Sequence, residues 1–198
     1  NVLKIITAVK KSPELQHCKI ILGGPEVRNH VDNFLKHGAD VIVLGEGEIT
    51  FHEVINTLHE KKDLLTVKGV CYKNSMNEII HTAEREKIKD LDTLPFPNRK
   101  KVNLQLYLDA WKKHHGKNAI SISTMRGCPY TCKWCSRAVY GLSYRRRSAA
   151  NVVDEMEQLK STYQPDTLWF VDDVFTVSHN WMQDFANEVQ LRNCKIPY

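Results

Sequence analysis

The sequence predicts an α/β fold in two units. Short apolar runs of strand character alternate with helix-periodic segments in both halves of the chain, and glycine- or aspartate-containing turns follow the strands. Between the halves lies a stretch where a hairpin pattern and two prolines interrupt the alternation. A chain of 198 residues is one large domain or two small ones.

In the first unit, Val2, Leu3, Ile5, Ile6 and Val9 recur at helical spacing before Ser12-Pro13 breaks the pattern, and Cys18 to Leu22 reads as a buried strand. Gly23-Gly24-Pro25 ends that strand. Val27, Val31, Phe34 and Leu35 mark one face of a helix that stops at His37-Gly38, and Asp40 to Leu44 is the next strand. Gly45-Glu46-Gly47-Glu48 turns into a helix faced by Ile49, Val54, Ile55 and Leu58. Two strands alternating with two helices predict parallel pairing by right-handed crossovers. His17, His30, His37, His52 and His59 show no ligand spacing and read as surface or capping residues.

Residues 67–115 read as a connector. Val67 to Tyr72 and Glu78 to Thr82 flank Asn74 to Asn77 as a hairpin, and Pro95 and Pro97 exclude regular structure further on. The second unit then opens with a strand over Asn118 to Thr124, which runs directly into a cysteine-rich loop. A helix follows from Ala149 to Tyr163, with Ser148 as N-cap and Val152, Val153, Met156 and Leu159 inward. Strand Thr167 to Val171 ends at Asp172-Asp173, and Ser178 opens a helix carrying Trp181, Phe185 and Val189. Ligands of parallel α/β sheets and barrels gather at the carboxyl ends of the strands, where the cysteine loop and Asp172-Asp173 both fall.

Composition narrows the function. With 42% apolar and 26% charged residues the chain is neither disordered nor membrane-spanning, and its longest apolar runs are far too short to cross a bilayer. No signal peptide is evident, so a cytoplasmic protein is expected. The net charge of +5 arises from scattered residues apart from Arg145-Arg146-Arg147, a run that more often marks a solvated face than a nucleic-acid stripe. Cys18, Cys71 and Cys194 stand apart and suit buried, reduced thiols. The start at Asn1 and the stop in what reads as a new strand predict a piece of a longer chain.

The remaining cysteines, Cys128, Cys132 and Cys135, share one short loop. A structural zinc site needs four ligands, usually as two separated pairs, and here there is a single triplet. His114 and His115 are the nearest imidazoles in sequence, but the strand after them carries them to the end opposite the loop. An iron-sulfur cubane fits better, because a loop of this length wraps three iron corners and leaves the fourth open to a substrate or cofactor. Trp134, one residue before the last cysteine, suits either packing on an aromatic cofactor or core packing.

Cys128-Pro129-Tyr130-Thr131-Cys132-Lys133-Trp134-Cys135 after a strand, with Arg145-Arg146-Arg147-Ser148 before a helix, resembles the radical S-adenosylmethionine enzymes. The resemblance implies a 4Fe-4S cluster on Cys128, Cys132 and Cys135 whose open iron binds S-adenosylmethionine and whose electron cleaves it to a 5'-deoxyadenosyl radical. It implies that Trp134 lies near the adenine. Family members often bind the methionyl amino group with a Gly-Gly-Glu-like turn after the second barrel strand; Asp172 and Asp173 occupy that place with different letters, or else simply cap the strand.

Gly45-Glu46-Gly47 lacks the third small residue of a dinucleotide fingerprint, since Thr50 stands there, and Glu46 and Glu48 oppose a pyrophosphate. The stretch from Ile20 to Glu26 and on to Glu48 instead resembles the carboxyl half of the cobalamin-binding domain that precedes many radical S-adenosylmethionine domains. Gly23, Gly24, Gly45 and Gly47 would then approach cobalamin, or serve only as turns. The fold expected is the C-terminal half of a Rossmann-like cobalamin-binding domain over 1–66, a connector over 67–115, and the first part of a partial (β/α) radical SAM barrel over 116–198.

The activity implied is a transferase-type radical reaction, either methylation with cobalamin as methyl carrier or a related rearrangement or cyclisation. Its partners would be a small-molecule or peptide substrate and an electron donor such as flavodoxin or ferredoxin, with neither membrane nor nucleic acid expected. Two rival readings are a tRNA-modifying radical enzyme, using Arg145 to Arg147 on phosphates, and a non-enzymatic module stabilised by zinc.

Overall fold

A computed structural model describes residues 1–135 and 140–198, and the chain divides into two units, Asn1–Ile88 with Tyr140 and a second built from residues 89–135 and 141–198. The first contains α1 (Val2–Lys11), β1 (Ile21–Leu22), α2 (Val31–Lys36), β2 (Val41–Val43), α3 (Gly47–His59), β3 (Val70–Lys73) and β4 (Ile79–His81). The strands form one sheet in the order β1-β2-β3-β4, with β1 parallel to β2 and the other pairs antiparallel.

The uninterrupted Val41-Ile42-Val43 of β2 explains this architecture, because all three side chains are buried and a strand buried on both faces needs cover on both. Ile42 packs with Ile6, Phe34 and Leu35 from α1 and α2, whereas Val41 and Val43 pack with Val54 of α3, Leu64 and Val67. Burial of each such side chain stabilises the fold by roughly 1.5–3 kcal/mol. β1 is shorter than the sequence suggests. The Asp40 carboxylate takes the Ile20 N–H at 2.8 Å, so residues 18–20 lie outside the strand, and Lys10 and Lys19 close on the same carboxylate at 2.7 and 3.2 Å. The helix expected from Val27 begins only at Val31, after a 3-10 turn over Val27–Asn29.

The hairpin forms as read, with the Asn74 N–H donated to the Glu78 carbonyl at 3.0 Å and Asn77 in left-handed conformation. Its place differs from the expectation. Cys71 of β3 stands opposite both Ile42 and His81, so the hairpin extends the first unit's sheet. The stretch 67–115 is therefore not one connector: residues up to Ile88 belong to the first unit and those from Lys89 to the second. Cys71 is fully buried, which pushes its thiol up to about 11, and it is a structural residue.

The second unit contains α4 (Leu104–His115), β5 (Ala119–Ile122), β6 (Met125–Arg126), β7 (Arg145–Arg146), α5 (Ala149–Tyr163), β8 (Thr167–Phe170) and α6 (His179–Leu191). Helix α4 falls where the sequence pattern places only connector. Asn103 caps it by accepting the Leu106 N–H at 3.4 Å, and Gly116 ends it at φ +78°. β5 and β8 pair in parallel, as expected, with Ile120 opposite Leu168. Val152, Val153, Met156 and Leu159 of α5 and Phe185 of α6 bury this pair. Ser148 and Ser178 cap their helices, accepting the N–H groups of Asn151 at 3.1 Å and Trp181 at 3.4 Å. Among the described residues no helix is long and apolar enough to cross a membrane.

Candidate functional site

After β5 the chain turns at Ser123-Thr124 into β6, makes the cysteine loop, and returns through β7. β6 and β7 pair antiparallel, Met125 opposite Arg146 and Arg126 opposite Arg145, and so form a two-stranded neck at the base of the loop. Gly127 sits where the neck opens, at φ +76°, and a Cβ there would lie 1.9 Å from the Ser143 carbonyl oxygen. Only glycine fits that crossing. Cys128 follows it, half-buried, while Cys132 and Cys135 are exposed and joined by a turn in which the Cys135 N–H reaches the Cys132 carbonyl at 3.2 Å.

No disulfide joins any of the six cysteines. Among the described residues no three His, Cys, Asp or Glu side chains are gathered at metal-binding distance. The donor set itself, three soft thiol ligands on one loop, suits iron or another thiophilic metal. Trp134 is 89% exposed and contributes nothing to the core.

The neck is tied to the end of β8 by Asp172. One carboxylate oxygen accepts the Thr124 N–H at 2.8 Å, the Ser123 hydroxyl at 3.1 Å and the Met125 N–H at 3.3 Å; the other accepts the Thr124 hydroxyl at 2.5 Å. Asp172, expected either at a methionyl amino group or as a strand cap, is thus engaged by the turn that delivers the cysteine loop. Asp173 is exposed beside it.

Within the arginine run, Arg146 and Arg147 are structural rather than a solvated face. Arg146 donates to the Thr124 hydroxyl at 3.1 Å and the Phe175 carbonyl at 2.5 Å, with its guanidinium 3.7 Å from the Trp181 ring centroid. Arg147 donates to Asn151 Oδ1 at 2.7 Å, the Ser123 carbonyl at 2.8 Å and Glu155 at 2.5 Å. Glu155 is only 1% exposed and takes a second cation, Arg99, at 2.7 Å. A buried carboxylate is tolerated when ion pairs and hydrogen bonds replace its water, as here.

In the first unit, Gly23-Gly24 follows β1 and Gly45 follows the adjacent parallel β2, so both turns lie at carboxyl ends on one rim of the sheet. Gly24 and Gly45 have φ of +109° and +75°, and a Cβ added at either would meet nothing within 4 Å. Gly47 is the first residue of α3, and a Cβ there would touch only Val43. Gly24 and Gly45 therefore expose backbone with room for a neighbouring group. Glu46 turns its carboxylate to the Ile88 N–H at 2.8 Å, and Thr50 is fully buried, so neither opens an anion site.

No protein-family profile matches the chain. Its sequence is 26% identical over 182 residues to the uncharacterized methyltransferase PH0819 of Pyrococcus horikoshii, covering 90% of this chain and 38% of that protein. It is 28% identical over 180 residues to an anaerobic magnesium-protoporphyrin IX monomethyl ester cyclase of Synechocystis, covering 89% and 35%. Its fold superposes on the radical S-adenosylmethionine methyltransferase TsrM of Kitasatospora setae with a TM-score of 0.71 at 22% identity, over 98% of this chain and 36% of that one. TsrM has been solved with cobalamin and a [4Fe-4S] cluster bound. In sequence and fold the chain resembles cobalamin-dependent radical S-adenosylmethionine enzymes. It spans little more than a third of the length of these relatives.

The sequence placed the cysteine loop and the glycine turns after strands, where the structure has them, but missed what holds the loop. Glu155 carried a signal, since it falls within the apolar stripe Val152, Val153, Met156 and Leu159 of α5, where a lone carboxylate demands a partner. Thr124 carried a weaker one, a polar residue between apolar Ile122 and Met125 that turns out to be fully buried.

Proposed function

We propose that this chain holds the cluster-binding and cobalamin-binding part of a radical S-adenosylmethionine enzyme. The observation that carries the reading is the cysteine triplet on a glycine-necked loop at the carboxyl end of a parallel strand. Cys128, Cys132 and Cys135 would ligate three irons of a 4Fe-4S cluster. When bound, that cluster supplies the electron that cleaves S-adenosylmethionine reductively at its open iron.

The chain's own contribution is to hold and orient. The β6–β7 neck fixes where the loop leaves the sheet, and Gly127 lets its two legs cross. Trp134 has the exposure to cover an adenine face, and Asp173 is the carboxylate left at the end of β8 for an ammonium group. Gly23, Gly24, Gly45 and Gly47 would admit the edge of cobalamin to the first unit's rim. The class of reaction is methyl transfer or a related radical cyclisation on a small molecule, fed by a one-electron donor such as flavodoxin or ferredoxin. The tRNA-modifying alternative draws less on Arg146 and Arg147, whose guanidinium groups are hydrogen-bonded within the second unit.

The test is anaerobic incubation of the intact protein with S-adenosylmethionine, a strong one-electron reductant and cobalamin. Release of 5'-deoxyadenosine, or of methylated corrinoid with S-adenosylhomocysteine, is the expected result. Absence of both, with no corrinoid retained on gel filtration, would remove the reading.

A further inference from the structure

Three elements meet at one hydroxyl. Thr124 is fully buried, its hydroxyl donates to Asp172 at the end of β8, and it accepts from Arg146 on β7 at 3.1 Å. The same Asp172 carboxylate takes the N–H groups of Thr124 and Met125, at the start of β6. The same Arg146 nitrogen also donates to the Phe175 carbonyl, in the loop before α6, and its guanidinium lies over the Trp181 ring of α6. Both strands of the neck are therefore bonded to one framework through Thr124, while Cys132 and Cys135 stay exposed beyond it.

We infer that Asp172, Thr124 and Arg146 form a latch that positions the cysteine loop before any metal is bound. They are positioning residues: none is a metal ligand, and each acts through the direction in which the neck aims Cys128. The physical case rests on charge-assisted hydrogen bonds to a fully buried hydroxyl, which a carboxylate and a guanidinium engage together and hold in one rotamer. The loop leaves the neck after Arg126 and rejoins it at Arg145, and its first residue is Gly127. A glycine has no side chain to restrain its backbone, so the direction of Cys128 depends on how firmly the neck itself is held.

This inference rests on the proposed function for its consequence but not for its test. Thr124→Val keeps the shape of the side chain and removes the hydroxyl, and Thr124→Ser restores it. In the cluster-free intact protein, Thr124→Val is expected to speed amide exchange of Met125, Arg126, Arg145 and Arg146 by roughly tenfold, with α5 and α6 unchanged and Thr124→Ser near the parent. After reconstitution and reduction with dithionite, the valine variant is expected to bind as much iron as the parent but to give a broadened electron paramagnetic resonance signal. Unchanged neck exchange, or an equal rise throughout the second unit, overturns the latch. A parent protein that takes up no cluster defeats the proposed function instead, and the exchange comparison still decides the latch.

Discussion

The glycine rim of the first unit and the cysteine neck of the second use the same residue for different reasons. Gly24 and Gly45 have positive φ and open space where a side chain would stand, whereas Gly127 has positive φ and a carbonyl oxygen 1.9 Å from where a Cβ would be. At the rim glycine answers only to the backbone; at the neck it also answers to a crossing chain. The rim thus leaves room beside its backbone, and the neck is already filled by the protein itself.

That contrast orders the mutations. Gly127→Ala should cost most, about 3 kcal/mol or more, because it adds a clash to the strain of a left-handed residue; thermal denaturation should show a drop of roughly 10 °C. Asp172→Asn keeps the shape but weakens the bonds to Ser123, Thr124 and Met125, and should cost about 2 kcal/mol by urea denaturation. Gly24→Ala and Gly45→Ala should each cost only about 1 kcal/mol, since strain acts alone there, and should weaken corrinoid retention more than they lower stability. Equal costs at Gly24 and Gly127 would break the comparison.

The smallest effect is electrostatic. Asp40 is the first unit's counterpart of Asp172, a carboxylate holding a strand entry. Burial pushes its carboxyl up, but the Ile20 N–H and the Lys10 and Lys19 ammonium groups outweigh this and hold it below its ordinary value of 3.8. A folded-state value below the unfolded one contributes stability that is fully present above the unfolded value and is lost as pH falls through the folded one. Stability followed downward from about pH 5 should therefore fall less steeply in Asp40→Asn than in the parent. An identical slope in both would show that the carboxylate is not coupled to folding.

The legible parts of the chain were those where residue type alone sets the structure. The capping serines Ser148 and Ser178, the Asn74–Asn77 turn and the buried run of β2 each obey a local rule, and each formed as read. The cysteine spacing was equally local. What the sequence did not reveal depends on residues distant in the chain: Asp172 reaching Thr124, Arg99 and Arg147 sharing Glu155, and the hairpin pairing with β2. Helix α4 was hidden differently, since the prolines upstream of Asn103 made the whole stretch read as irregular.

The central claim is that Cys128, Cys132 and Cys135 hold an iron-sulfur cluster. The most direct measurement is iron, sulfide and zinc content per chain after anaerobic reconstitution, in the parent protein and in Cys132→Ala. The account predicts about four irons and four sulfides with broad visible absorption in the parent, and loss of most of both in the variant. One zinc per chain without sulfide, or a variant that keeps its iron, would contradict it.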